Sequence, residues 1–156
     1  MKTKFSFGKA VAFAFLLMAG ISATATPAVA KSEWLTDYTA ALAQAQKENR
    51  PVLINFTGSD WCGYCIKLDK DTYSKPAFLS FAKNQLVLFE ADFPRGKQLP
   101  DAVKKQNKEL EEKFGVNGYP TQVLVDANGK EIARHEGYLP GGPAAFISWV
   151  ETSTKK

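Results

Sequence analysis

Apolar positions along this chain follow two different periods. From Glu33 to about Asn49, Leu35, Tyr38, Leu42 and Ala45 recur at three- and four-residue spacing, which predicts a helix capped by Ser32 and stopped before Pro51. Val52 to Phe56 then reads VLINF, the near-continuous apolar run of a strand buried on both faces. The turn Thr57-Gly58-Ser59-Asp60 leads into Trp61-Cys62-Gly63-Tyr64-Cys65, which opens a helical pattern through Leu68 to about Tyr73. A short helical piece over Phe78 to Asn84 follows Pro76, and Leu86 to Phe93 is a second apolar strand.

Pro94 to Pro100 holds two prolines and a glycine and reads as a loop. A polar helix follows from Asp101 to about Phe114, with Val103, Leu110 and Phe114 as its apolar contacts, and Gly115 to Pro120 is another loop. Thr121 to Val125 and Glu131 to Glu136 flank Asp126-Ala127-Asn128-Gly129, whose Asn-Gly pair signals a hairpin turn. The last helix, Ala144 to about Thr152, is expected to bury Phe146, Trp149 and Val150. The order α-β-α-β-α-β-β-α predicts an α/β sandwich, with helices on both sides of a sheet that ends in an antiparallel hairpin.

The N-terminal segment has a different character. Lys2, Lys4 and Lys9 precede the uncharged run Ala10 to Ile21, and Ser22 to Pro27 leads to Ala28-Val29-Ala30. A basic region, a short apolar run and a small-x-small triplet make up a secretory signal peptide. The run is shorter than the roughly 20 apolar residues that span a bilayer. Residues 1–30 are therefore expected to be cleaved after Ala30, leaving 31–156 as one domain with no membrane span. Taking three lysines from the 20 basic residues leaves 17 against 16 acidic ones, so the net charge drops from +4 to +1. Interspersed charges such as KKQNKELEEK, Lys104 to Lys113, read as a solvated helix face, and nothing supports nucleic-acid binding.

The chain has two cysteines and one histidine, too few for a disulfide-dense scaffold or a four-ligand zinc site. Cys62 and Cys65 form a Cys-x-x-Cys pair where a buried strand hands over to a helix start. There the unsatisfied N–H groups and the helix dipole stabilise a thiolate, and such cysteines reach pKa values of about 3.5 to 7.5. Cys65, nearly one turn on, is placed to attack a mixed disulfide formed at Cys62. Trp61 would shield one side of the pair and Tyr64 help set its geometry. A disulfide that closes so short a loop adds little stability, and Ile66 stands where covalent haem attachment needs His. Redox use is the reading these residues carry, with metal binding open only if a second chain completes the site.

Ile54-Asn55-Phe56, Trp61-Cys62-Gly63-Tyr64-Cys65 and Gly118-Tyr119-Pro120-Thr121 together resemble the thioredoxin superfamily, in its secreted thioredoxin-like branch that includes the periplasmic C-terminal domain of DsbD. The resemblance covers about residues 33 to 152. It implies a thioredoxin-like three-layer α/β/α sandwich with a mixed central sheet, working without a cofactor or metal as an exported, periplasmic thiol:disulfide oxidoreductase. The Cys-Gly-Tyr-Cys pair would reduce or isomerise disulfides of protein substrates or of a redox partner protein, with the protein a monomer. Pro120 would be cis and face the disulfide, and Tyr119 and Pro120 would form a substrate platform beside Cys62.

Thioredoxin keeps a buried Asp on the strand before the motif, where this chain has Asn55, which is no base. Asp69 is the candidate replacement, four residues after Cys65 and seven after Cys62, as in the DsbD-like domains; Glu90 is a weaker one. Gly63-Tyr64 replaces Gly-Pro, resembles the pair in the isomerase DsbC, and favours a reducing or isomerising role over an oxidase. The segment Phe93 to Pro100, with Arg95 and Lys97, is longer than in a minimal thioredoxin and reads as a variable loop, with contact to a partner as the alternative. His135 is assigned no role. Two rivals are a relay dedicated to one membrane or cytochrome-maturation partner, and a binding module with a static disulfide.

Overall fold

Val, Leu, Ile and Phe fill β1, Val52–Thr57, and all six of its residues are buried. A strand buried on both faces needs a helical layer on each side. The computed structural model describes residues 1–2 and 34–155, so the expected apolar run of the export segment, its cleavage site and Ser32 lie outside the described residues. After α1, Tyr38–Glu48, and β1 come α2, Gly63–Leu68, continued by a π-helical turn, Asp69–Tyr73, then α3, Pro76–Gln85, and β2, Val87–Asp92. The remaining elements are α4, Asp101–Lys113, β3, Thr121–Val125, β4, Glu131–Glu136, and α5, Gly142–Thr154.

The sheet order is β2-β1-β3-β4. β1 runs parallel to β2 and antiparallel to β3, and β4 returns antiparallel to β3, so the sheet is mixed. Asp126 closes the hairpin: its carboxylate accepts the Asn128 and Lys130 N–H groups, and Gly129 takes the left-handed φ of +78°. One face of the sheet packs Ile54, Phe56 and Phe89 against Tyr38, Ala41, Leu110 and Phe114 of α1 and α4 with its C-terminal residue. The other packs Leu53, Leu88 and Leu124 against Leu68, Tyr73, Phe78 and Phe146. Each fully buried Phe of this kind stabilises by about 1.5 to 3 kcal/mol.

Three local departures from the periodicity have physical causes. The first helix begins at Tyr38, because Asp37 is the better cap: its carboxylate accepts the Ala40 N–H at 2.9 Å. Leu35 pairs instead as a parallel bridge with Phe89, exchanging hydrogen bonds with Leu88 and Glu90, and covers the outer edge of β2. The helix after the cysteines stays α-helical to Leu68 and then widens, with Ser74 N–H reaching Asp69 O. That wide turn brings Thr72 and Tyr73 into the core. Trp149 is only partly buried and meets His135 edge to face.

Asn107 is the polar residue of α4 that a count of apolar positions overlooks. It is 1% exposed and donates from Nδ2 to Asp92 O at 3.0 Å, pinning the end of β2. Asn107→Ala leaves that buried carbonyl without its donor and is expected to lower stability by about 1 to 3 kcal/mol, read from urea unfolding as a lower midpoint at unchanged slope.

Candidate active site

β1 ends at Thr57, and the chain must turn sharply to begin α2 at Gly63. Trp61 N–H and Cys62 N–H both donate to Gly58 O, which folds the turn. Cys62 has extended backbone angles and is the N-cap of α2: its Sγ accepts the Cys65 N–H at 3.2 Å. The two cysteines are joined as a disulfide with Cα atoms 5.2 Å apart, and both are buried. One orphan donor of the helix start is thus met by sulfur. When the pair is reduced, the same N–H and the helix dipole favour the Cys62 thiolate.

One rim is aromatic and cationic. Trp61 is 37% exposed; its Nε1–H donates to Phe93 O at 2.8 Å, and its ring meets Tyr119 edge to face. Tyr119 stacks on Phe93 at 5.1 Å, and its hydroxyl donates to the Glu111 carboxylate. Burial, and then that carboxylate, push the Tyr119 phenol well above its ordinary value. The guanidinium of Arg95 lies 3.8 Å from the Trp61 ring centroid. Asp60 holds the loop there by accepting N–H groups from Arg95 at 3.0 Å and Gly96 at 2.6 Å. The same two bonds hold its carboxyl below the ordinary carboxylate value.

The other rim centres on Tyr138, in the loop before α5. Tyr64, 65% exposed, tilts over Tyr138 with ring centroids 6.2 Å apart. Lys67 Nζ lies 5.1 Å from the Tyr138 centroid and pairs with Asp71 at 2.6 Å, while the Tyr138 hydroxyl donates to Asp71. Lys67, then Tyr138, keep the Asp71 carboxyl below its ordinary value. Ile66, the residue after Cys65, is also exposed.

Of the residues singled out from sequence, Cys62, Cys65, Trp61 and Tyr119 are gathered at one place. The Tyr119–Pro120 peptide bond is cis, and Pro120 O accepts the Gly137 N–H at 2.7 Å. Asp69 follows Cys65 by one turn, its N–H donating to Cys65 O, and its side chain is exposed. Asn55 is buried, with Glu90 beside it in register. Both Glu90 and Asp69 act on Tyr73, whose phenol is pushed well up by burial first and by these two charges second.

Asp92, 6% exposed, is a residue that sequence reasoning passed over. It accepts from Ser59 N–H at 2.9 Å and Ser59 Oγ at 2.7 Å and pairs with Lys97 at 2.8 Å, which raises the lysine's pKa. An acid at the end of the apolar run LVLFEAD was the available signal. Tyr138 and Glu111 carried none, because their contacts come from segments distant in sequence; for Arg95 the signal was a basic residue in a lengthened loop.

A thioredoxin-like domain model matches residues 38–153. The disulfide bond reductase DsbH of Chlamydia pneumoniae is 38% identical over 128 residues, covering 82% of this chain and 76% of that protein. A solved structure of DsbH oxidoreductase superposes with a TM-score of 0.76 at 37% identity, covering 81% of this chain and 86% of that one. The thiol:disulfide interchange protein DsbD of Photorhabdus laumondii is 32% identical over 96 residues, which is 60% of this chain but 15% of that protein.

A Cβ on Gly58 would lie 2.5 Å from Trp61 Cε2 and 2.6 Å from its Nε1, so the indole rests on a bare glycine. Gly58→Ala is expected to lift the indole, break its bond to Phe93 O and cost about 1 to 3 kcal/mol. The Trp61 indole N–H resonance should shift and exchange faster; an unmoved resonance would show that the ring is not seated there.

Proposed function

We propose that this chain, which belongs to the thioredoxin-like family, serves as an exported dithiol reductase that passes electrons from Cys62 and Cys65 to protein disulfides. It is a thiol:disulfide oxidoreductase. The observation that carries the reading is the disulfide at the start of α2, with Cys62 Sγ held by the Cys65 N–H beside the Trp61 and Tyr119 rings.

In the proposed reaction the Cys62 thiolate attacks one sulfur of a substrate disulfide, forming a mixed disulfide and expelling the other sulfur as a thiolate. Cys65 loses its proton and attacks Cys62 Sγ, releasing the second substrate thiol and closing the Cys62–Cys65 bond. Two electrons move from the dithiol to the substrate, and a separate donor must return them. Tyr119 and Pro120, with Trp61 and Tyr64, position the substrate backbone. The name of the DsbH relative and the Gly63-Tyr64 pair favour reduction over oxidation. Cleavage after Ala30 and delivery to a bacterial periplasm belong to this proposal and rest on the N-terminal sequence.

Cys65→Ala removes the resolving thiol, so mixed disulfides through Cys62 should accumulate and be visible on non-reducing gels; Cys62→Ala should form none. Equilibrated with glutathione, the pair should lie toward the thioredoxin end, about −270 mV, of a range that reaches about −120 mV. A pair that dithiothreitol cannot open, with no trapped partners, sinks the reading and leaves a static disulfide. Many partners indicate a general reductase, and a single one a dedicated relay.

Asp69 is the acid we assign to take the Cys65 proton, since it stands one turn beyond it and is exposed to water that can carry the proton on. Asp69→Asn should slow release of the mixed disulfide by about 100-fold at neutral pH, the lower end of what a lost proton acceptor costs, and the deficit should shrink as rising pH lets hydroxide take the proton. An unchanged profile in Asp69→Asn, with the slowing found in Glu90→Gln, transfers the role to Glu90.

A further inference from the structure

Resting on the dithiol reading above, we infer that the loop from Phe93 to Pro100 and the first turns of α4 form a docking cleft for an acidic segment of the disulfide-bearing partner, with Arg95 as its anchor beside the cysteines.

Three independent observations support it. First, the loop is fixed against the site at three points. Phe93 O accepts the Trp61 indole N–H, Asp60 accepts the Arg95 and Gly96 N–H groups, and Lys97 pairs with the buried Asp92. An exposed loop so tied presents its side chains in set positions, which lowers the ordering cost of binding. Second, Arg95 is charged, exposed and, among the described residues, has no carboxylate within ion-pair distance of its guanidinium. The nearby Asp60 carboxylate is engaged by backbone N–H groups instead. A guanidinium stacked on an indole keeps its N–H edges open for a carboxylate.

Third, a cleft of about 320 Å³ runs from Arg95 along the loop to α4. Arg95, Lys97, Lys104 and Lys108 line it, and its one acid, Asp92, is buried under Lys97. Phe93 and Leu99 supply apolar surface between the cations. Lys104 pairs with the exposed Asp101, and Lys108 with the half-buried Glu111 that the Tyr119 hydroxyl also engages. The exposed Lys104–Asp101 pair is worth little in water and is readily exchanged for a partner's carboxylate.

The occupant must also bring a sulfur to Cys62, because Phe93 and Arg95 belong both to the cleft and to the aromatic rim of the dithiol. That selects a protein segment with Asp or Glu residues near its reactive cysteine over a free anion.

The test uses the reduced protein and three cyclic peptide disulfides that differ only in a flanking triplet of Asp, Ala or Lys, placed in turn on either side of the disulfide. At low salt the Asp-flanked peptide should be reduced about tenfold faster than the Lys-flanked one, with the Ala-flanked peptide between them. In about 1 M salt, where the Debye length is about 3 Å, the difference should vanish. Arg95→Glu should invert the order, and Lys104→Glu, at the α4 side of the cleft, should by itself reduce the Asp advantage. Equal rates for the three peptides overturn the proposal. So does a loss in Arg95→Glu that is the same for Asp- and Ala-flanked peptides, with no change of preference in Lys104→Glu. Competition by inorganic phosphate without any preference among the peptides gives the cleft to a small anion and overturns it too. If the Ala-flanked peptide is not reduced at all, the dithiol reading itself fails.

Discussion

The Asp92 carboxylate sits at the point where two parallel strands end and two loops begin, and most of the active-site arrangement hangs from it. β1 and β2 run in register to Thr57 and Asp92, and after Phe93 N–H, which still donates to Thr57 O, the turn and the following loop leave the sheet. Buried carboxylates are stable only when hydrogen-bonded or paired. Asp92 meets that condition with Ser59 on one side and Lys97 on the other, while its own carbonyl is held by Asn107. The turn that carries the cysteines and the loop that carries Arg95 are thereby joined through one side chain.

From that joint the two rims of the dithiol acquire opposite character. Toward the loop, Phe93, Tyr119 and Trp61 form a continuous aromatic wall with Arg95 over its exposed face. Toward α5, Tyr64 and Tyr138 form a smaller wall whose cation, Lys67, is already matched by Asp71. A substrate backbone laid across Cys62 would thus meet an unmatched positive charge on one side and a neutralised pair on the other. The two rims therefore differ in charge as well as in size.

Strands and the helix start were legible in the sequence because burial on both faces and the strand-to-helix handover leave local marks. VLINF, the Asn-Gly turn and the Cys-x-x-Cys pair are each written in consecutive residues, and each forms what its pattern predicts. The first helix was misplaced at its start because Ser32 and Asp37 both suit a cap, and only pairing of Leu35 with β2 decides between them. The widening at Asp69 left no mark, since its benefit is the burial of Thr72 and Tyr73 against distant elements. Arg95 is the sharpest case. In sequence it is a charge in a variable loop; its meaning depends on Asp60 and Trp61, more than 30 residues earlier.

The face of the sheet toward α2 poses a last chemical constraint. Glu90, Asn55, Gln122 and His135 are register partners across β2, β1, β3 and β4, so their side chains share that face as a polar row across an apolar sheet. Asn55 Oδ1, both amide atoms of Gln122 and His135 Nε2 are buried without a protein hydrogen-bond partner among the described residues. Such a row costs stability compared with apolar side chains of the same size, so its retention calls for a reason. On β1 the position nearest the motif in this row is an amide, which neither carries a charge nor accepts a proton at neutral pH. A resolving thiol still has to lose its proton before it can attack. β1 holds no carboxylate, so that strand supplies no acceptor for the proton. The two acids whose charges reach the same buried tyrosine are Asp69 on the wide helical turn and Glu90 on β2. Asp69 is open to solvent, and Glu90 lies in the sheet beside Asn55.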